Sequence, residues 1–237
     1  MQKLAFLGGI AGLAVVALLT TRGQAAGRTV AAGAADSSNP MAEIKDVYAW
    51  VAGSNLNLVM DVSPLDDGMR SFDPSVQYVF HLTSKAKFGV AGAGDAETRV
   101  ILRFASSTSV ECWVTDATGS VTKDYVVGDP STIAGLPAMD GRIKVFAGRR
   151  SDPAFASTTG LASAIGELGT NLKTTDVAGC PAINAAEAST IQGMLTSGSD
   201  TFATANVMAI VVQIDKLLVT VAPNKLVSVW ASTHAGS

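Results

Sequence analysis

The chain has 237 residues, 16% of them charged and 48% hydrophobic, with a formal net charge of −3. That charged fraction is well below the roughly 25% usual for soluble domains, and Ala, Gly, Ser, Thr and Val are abundant, which describes a neutral, hydroxyl-rich surface. Basic residues are scattered apart from Arg149-Arg150, so the electrostatic footprint of a nucleic-acid binder is missing.

Residues 1–26 read as a secretory signal peptide. Lys3 gives a positive start, an apolar run follows from Leu4 to Leu19, and small residues around Gly23-Gln24-Ala25-Ala26 suit signal peptidase. Cleavage then leaves a mature chain beginning near Ala26 or Gly27, in the periplasm or outside the cell. The alternative is an uncleaved anchor, but a span needs about twenty apolar residues, and this run is shorter and broken by Gly8, Gly9 and Gly12. No later run is as long, so no membrane span is expected once the signal is removed.

Residues 27–42 are Ala, Gly, Ser and Asn with Pro40 and little to bury, which reads as a flexible linker. A single β-rich domain is expected over 43–237. Val47, Ala49 and Val51 alternate with polar neighbours, as do Leu56, Leu58, Met60 and Val62, and Gly53-Ser54 between them predicts a two-residue hairpin turn. The same period of two recurs in Val76/Tyr78/Phe80/Leu82, Val100/Leu102/Phe104, Val110/Cys112/Val114 and Val121/Tyr125/Val127, with a further short strand at Ile143–Ala147. Turn signals at Asp116-Ala117-Thr118-Gly119 and Gly128-Asp129-Pro130 separate these runs. The pattern predicts a mainly β fold, an antiparallel β-sandwich, with a closed or partly open barrel as the alternative.

Between about 158 and 199 the period changes. Leu161, Ala164, Ile165 and Leu168 recur at helical spacing, and Asn184 with Glu187 forms a capping box ahead of Ile191, Met194 and Leu195. Two short helices are therefore expected as an insertion. Asn206–Ile214 is apolar on both faces, as a central strand covered on both sides would be, and Leu226–Ser232 reads as its neighbour.

Cys112 and Cys180 are the only cysteines. An even pair in an exported chain is most simply a disulfide, which would stabilise the fold by about 4 kcal/mol; two separate buried thiols are the competing reading. Two histidines are a thin supply for chemistry. His81 shares the polar face of its strand with Gln77 and Thr83, which predicts an exposed or edge-satisfied side chain, and His234 lies near a terminus. No G-x-S-x-G elbow occurs, and Gly89–Gly94 lacks the third glycine and the helix of a phosphate-cradling loop. No catalytic residue and no cofactor are assigned. One acidic stretch, with Asp61, Asp66, Asp67 and Asp73, offers hard oxygen ligands for calcium, although its spacing matches no EF-hand and the same residues are those that turns select.

Three blocks together resemble the bacterial exported family called domain of unknown function 4331. They are DVYAW at 46–50 with NLNLVMDVSP at 55–64 and VQYVFHL at 76–82; VFAGRRSDPAF at 145–155; and ANVMAIVVQIDKLLV at 205–219 with LVSVWAST at 226–233. The resemblance implies export and a β-rich domain, with Asp46, Asp152 and Asn206 on recurring polar positions and no established activity. Family members carry a histidine-bearing stretch where this chain has SSNPM and a further segment after the tryptophan-bearing strand, which implies a divergent or shortened member. The sequence as a whole predicts an exported binding or structural module for an envelope or extracellular ligand. The alternatives are a polysaccharide-acting hydrolase that uses aspartates, and an outer-membrane barrel.

Overall fold

A computed structural model describes residues 39–235 apart from 89–91, 93, 155, 171–174, 176 and 178–181. Residues 1–26, read as a signal peptide, and most of the expected linker therefore lie outside the described residues, as does most of the Gly89–Gly94 stretch. The chain separates into two compact units: residues up to Arg150 with Val207 onward, and Ser151–Asn206. The helical insertion falls in the second of these units.

The first unit is the predicted sandwich. Its strands are β1 (Ile44–Ala52), β2 (Asn55–Asp66), β3 (Val76–Lys85), β4 (Ala96–Ser106), β5 (Ser109–Asp116), β6 (Thr122–Gly128), β7 (Leu136–Pro137), β8 (Ile143–Ser151), β9 (Asn206–Asp215) and β10 (Leu226–Ala235). They form two five-stranded sheets, β1-β2-β9-β8-β7 and β10-β3-β4-β5-β6, that do not close into a barrel. The expected hairpin is present, with Ala52 opposite Asn55 and Gly53 at φ +60°, the angle a side chain resists.

The inward residues of β2 to β5 are those the alternation named, whereas Val51 at the end of β1 is exposed. Leu56, Leu58, Met60 and Val62 of β2 meet Tyr78, Phe80, Leu82, Val100, Leu102 and Phe104 of the second sheet in one core. Phe72 stacks on Phe104 at 4.0 Å between centroids, and Tyr78 stands edge-on to both. The Tyr78 hydroxyl donates to the Met41 carbonyl at 3.0 Å, and Asn39 Nδ2 donates to Asp73 Oδ2 at 2.8 Å. The last four residues assigned to the linker are therefore part of the fold: they form a 3₁₀ turn, Pro40–Ala42, capped by Asn39.

Three expectations are corrected. In β6 it is Val126 that enters the core, while Tyr125 and Val127, and Val121 just before the strand, are exposed; periodicity fixes alternation but not which phase faces inward. β10 pairs with β3, not with β9, because a short helix, α3 (Lys216–Val219), and the following turn intervene between β9 and β10, and β10 joins the other sheet. Cys112 is a free thiol, fully buried on the inner face of β5, where an entering partner would displace core side chains; the bridge to Cys180 is not formed at this end, and Cys180 lies outside the described residues. Burial pushes the Cys112 thiol well above its ordinary range, with the Asp124 charge adding to the effect.

The second unit holds α1 (Thr158–Thr170) and α2 (Ala185–Thr196). The capping box is formed: Asn184 Oδ1 accepts from the backbone of Ala186 and Glu187, and the Glu187 carboxylate accepts from Asn184 N–H at 2.7 Å. The helices meet closely at Gly160, where a Cβ would run into the Met194 carbonyl.

Candidate functional site

The four acidic-loop residues do not converge. Asp66, with a fully buried side chain, is ion-paired with Arg149 and accepts from the backbone of Gly68 and Arg70. Burial alone would raise its pKa; those donors outweigh it and hold the carboxyl below the usual value. Asp67 caps the Met69 N–H at 3.0 Å. Asp73 is held low by the backbone and hydroxyl of Ser75, which it accepts at 2.8 and 2.7 Å. Among the described residues no three His, Cys, Asp or Glu side chains form a group able to hold a metal ion. Turn chemistry accounts for this loop, whose backbone takes left-handed angles at Ser63 and Leu65, φ 56° and 54°.

Asp61 belongs elsewhere. It lies on the outer side of β2 opposite Asp46 of β1, and the two are only 1% and 4% exposed. Burial, then the Asp46 charge, pushes Asp61 up to about 7 against the pull of Lys45. Its Oδ2 is enclosed and accepts no hydrogen bond. An acid and base flanking a glycosidic bond must reach that bond, and this pair is sealed. Asp152 and Asn206 sit in the second unit; Asp152 Oδ1 accepts from Ala154 N–H and its own N–H donates to Ala205, which turns the chain there, and Asn206 opens β9.

The outer face of β10-β3-β4-β5-β6 has a different character. Residues opposite each other in an antiparallel pair share a face, so the registers define rows that cross the sheet. One row runs Ser232, Val79, Ile101, Trp113, Tyr125; the next runs Trp230, His81, Arg99, Thr115; a third runs His234, Gln77, Arg103, Glu111, Val127. Trp113 and Trp230 are half-buried and Tyr125 is 39% exposed. Trp113 and Tyr125 lean together at 5.6 Å between centroids, and the Tyr125 hydroxyl bonds Glu111.

His81 is the centre of the second cluster. Expected to be exposed or edge-satisfied, it is hydrogen-bonded at both ring nitrogens but only 5% exposed, because its central strand places Trp230 on one side and Arg99 on the other. The Trp230 ring stacks on it at 3.6 Å and 6°. His81 Nε2 lies 2.8 Å from Ser232 Oγ, and Nδ1 lies 3.0 Å from Glu97 Oε1, which also accepts from Arg99 Nε at 2.7 Å. His234 Nε2 approaches the same Ser232 Oγ at 2.8 Å. Burial holds His81 below its ordinary 6.5, outweighing the upward pull of Glu97. Burial pushes Glu97 up, but its bonds from Arg99 and His81 prevail and keep it low. The imidazole is neutral at pH 7 and the carboxylate ionised, so Nδ1 carries the proton toward Glu97 and Nε2 faces Ser232 as an acceptor.

Sequence reasoning had placed His81, Gln77 and Thr83 on one face but missed the cluster. The signal was Trp230, Ser232 and His234 at alternate positions of WASTH; assigning β10 to the wrong neighbour hid it. Comparison with family models, curated proteins and solved structures returned no match.

Proposed function

We propose that the chain is an exported binding module, and that the outer face of β10-β3-β4-β5-β6 takes a neutral polysaccharide. The observation that carries this reading is the pair of a half-buried Trp113 and an exposed Tyr125, side by side on the face and flanked by hydrogen-bonding side chains. Sugar rings present an apolar C–H face and a rim of hydroxyls, which match flat aromatic surfaces set among donors and acceptors. The charges on the face cancel, Arg99 against Glu97 and Arg103 opposite Glu111, so a polyanion gains nothing there. Neighbouring strands are about 4.8 Å apart, so Trp230 and Trp113, three strands from each other, are separated by roughly 14 Å across the sheet. Export rests on the signal-like residues 1–26 and on the block resemblance to domain of unknown function 4331.

The test is depletion of the 27–237 protein from solution by cellulose, chitin or insoluble xylan, with tryptophan emission followed as soluble oligosaccharides of each are added. At least one should deplete the protein, and W113A and Y125A should abolish the depletion. Absence of binding to all three, or binding unchanged in W113A, overturns the reading. Amino-terminal sequencing of the protein from the envelope and medium should find a start near Ala26 or Gly27; an intact Met1 in both fractions removes the export claim.

A further inference from the structure

We propose that Ser232, His81 and Glu97 form a catalytic relay that hydrolyses short-chain acyl esters, with Ser232 Oγ as the nucleophile. This goes beyond saccharide binding and does not rest on it. Three adjacent strands bring the groups together in the order nucleophile, base and orienting carboxylate, with contacts of 2.8 and 3.0 Å, the geometry that makes a serine hydroxyl reactive. Such a constellation is defined by positions and roles and occurs in several chain orders. A G-x-S-x-G elbow is one way to raise a serine above a sheet; here Ser232 already stands on the outer side of β10, half-buried rather than enclosed.

Each neighbour has a task. Glu97 holds the proton of His81 on Nδ1 and stabilises the imidazolium that forms when Nε2 accepts one. Arg99 keeps Glu97 ionised and aimed through its 2.7 Å bond. The Trp230 stack fixes the ring plane. His234 Nε2 lies 2.8 Å from Ser232 Oγ, and with its proton on Nε2 it is the donor that would meet charge developing on the substrate.

In acylation, Ser232 Oγ bonds to the ester carbonyl carbon, its proton passes to His81 Nε2, and the carbonyl π pair moves onto oxygen. As the carbonyl re-forms, the C–O bond to the alcohol breaks and the alcohol leaves with the proton from His81. Water then adds to the acyl-serine, giving a proton to His81; Ser232 Oγ departs and takes it back. Ester and water become acid and alcohol, and nothing is oxidised or reduced. Ser232 is half-buried and His81 only 5% exposed, which suits small acyl groups.

The experiment exposes the 27–237 protein to a fluorophosphonate probe, locates the label by peptide mass, and measures hydrolysis of 4-nitrophenyl acetate. The label is expected on Ser232. S232A and H81Q should each lower the hydrolysis rate at least tenfold, with E97Q intermediate, while circular dichroism of S232A stays unchanged. If H81Q fails to fold, the wild-type label position and the S232A rate decide. A label elsewhere, no label at all, or equal rates in wild type and S232A overturns the proposal.

Discussion

The outer faces of the two sheets obey the same alternation yet have opposite fates. On β1-β2 the polar residues Asp46, Asn57 and Asp61 are buried, and one carboxyl oxygen has no partner. On β10-β3-β4 the polar residues are linked in a chain from His234 through Ser232, His81 and Glu97 to Arg99, beside accessible aromatic rings. A buried polar residue is costly when its partners are few and available for chemistry when they are many and in sequence. The two faces should therefore respond to pH with opposite sign.

The largest effect should come from Asp61. Its pKa is raised from 3.8 to about 7, so between those values the native state binds the proton and the unfolded chain does not. Stability is fully present below about pH 4, falls as pH rises through 7, and then levels off. At about 1.4 kcal/mol per pH unit, the loss is up to about 4 kcal/mol. D61N should remove that slope and raise the stability measured by urea unfolding at pH 8, with no gain at pH 4; a variant that follows the wild-type pH curve breaks the comparison.

On the other face the sign reverses. His81 is held below 6.5, so the unfolded chain binds the proton more readily, and stability present above 6.5 is lost as pH falls through the native value. W230A strips the stacking partner of His81 and should cost about 2 kcal/mol, below the range for a fully buried tryptophan, while the His81 titration followed by NMR moves upward toward 6.5. An unmoved titration would show that the stack does not shield the ring. Between the faces, C112A should cost about 1 kcal/mol, and Cys112 should alkylate with N-ethylmaleimide only on unfolding; a label mapped to Cys112 in the native protein would refute the buried thiol. E97Q is the mildest, costing roughly 1 kcal/mol or less at this half-exposed carboxylate and lowering the His81 titration further. A titration that rises instead would reverse the role given to the Glu97 charge.

Most of the sandwich was legible because alternation directly encodes inside and outside. Leu58, Phe80 and Leu102 had no other reading, and the capping pair Asn184 and Glu187 marked its helix by chemistry alone. What the pattern does not encode is which strand lies beside which. Ser232 and His81 meet only because β10 crosses to β3, and Asp61 meets Asp46 only through the β1 register. The phase of β6 failed for a related reason: Val126 and Val127 are equally apolar, and the core accepts one of them. Cys112 was readable as apolar from its neighbours Val110 and Val114, but counting cysteines favoured a bridge.

The bond between His81 and Ser232 joins residues 151 positions apart. Contacts of such long span form slowly, since a large loop must close before they are gained. Reactivity at Ser232 would therefore report on completed assembly: molecules with only local hairpins would stay silent, and a covalent probe would count those that had finished folding.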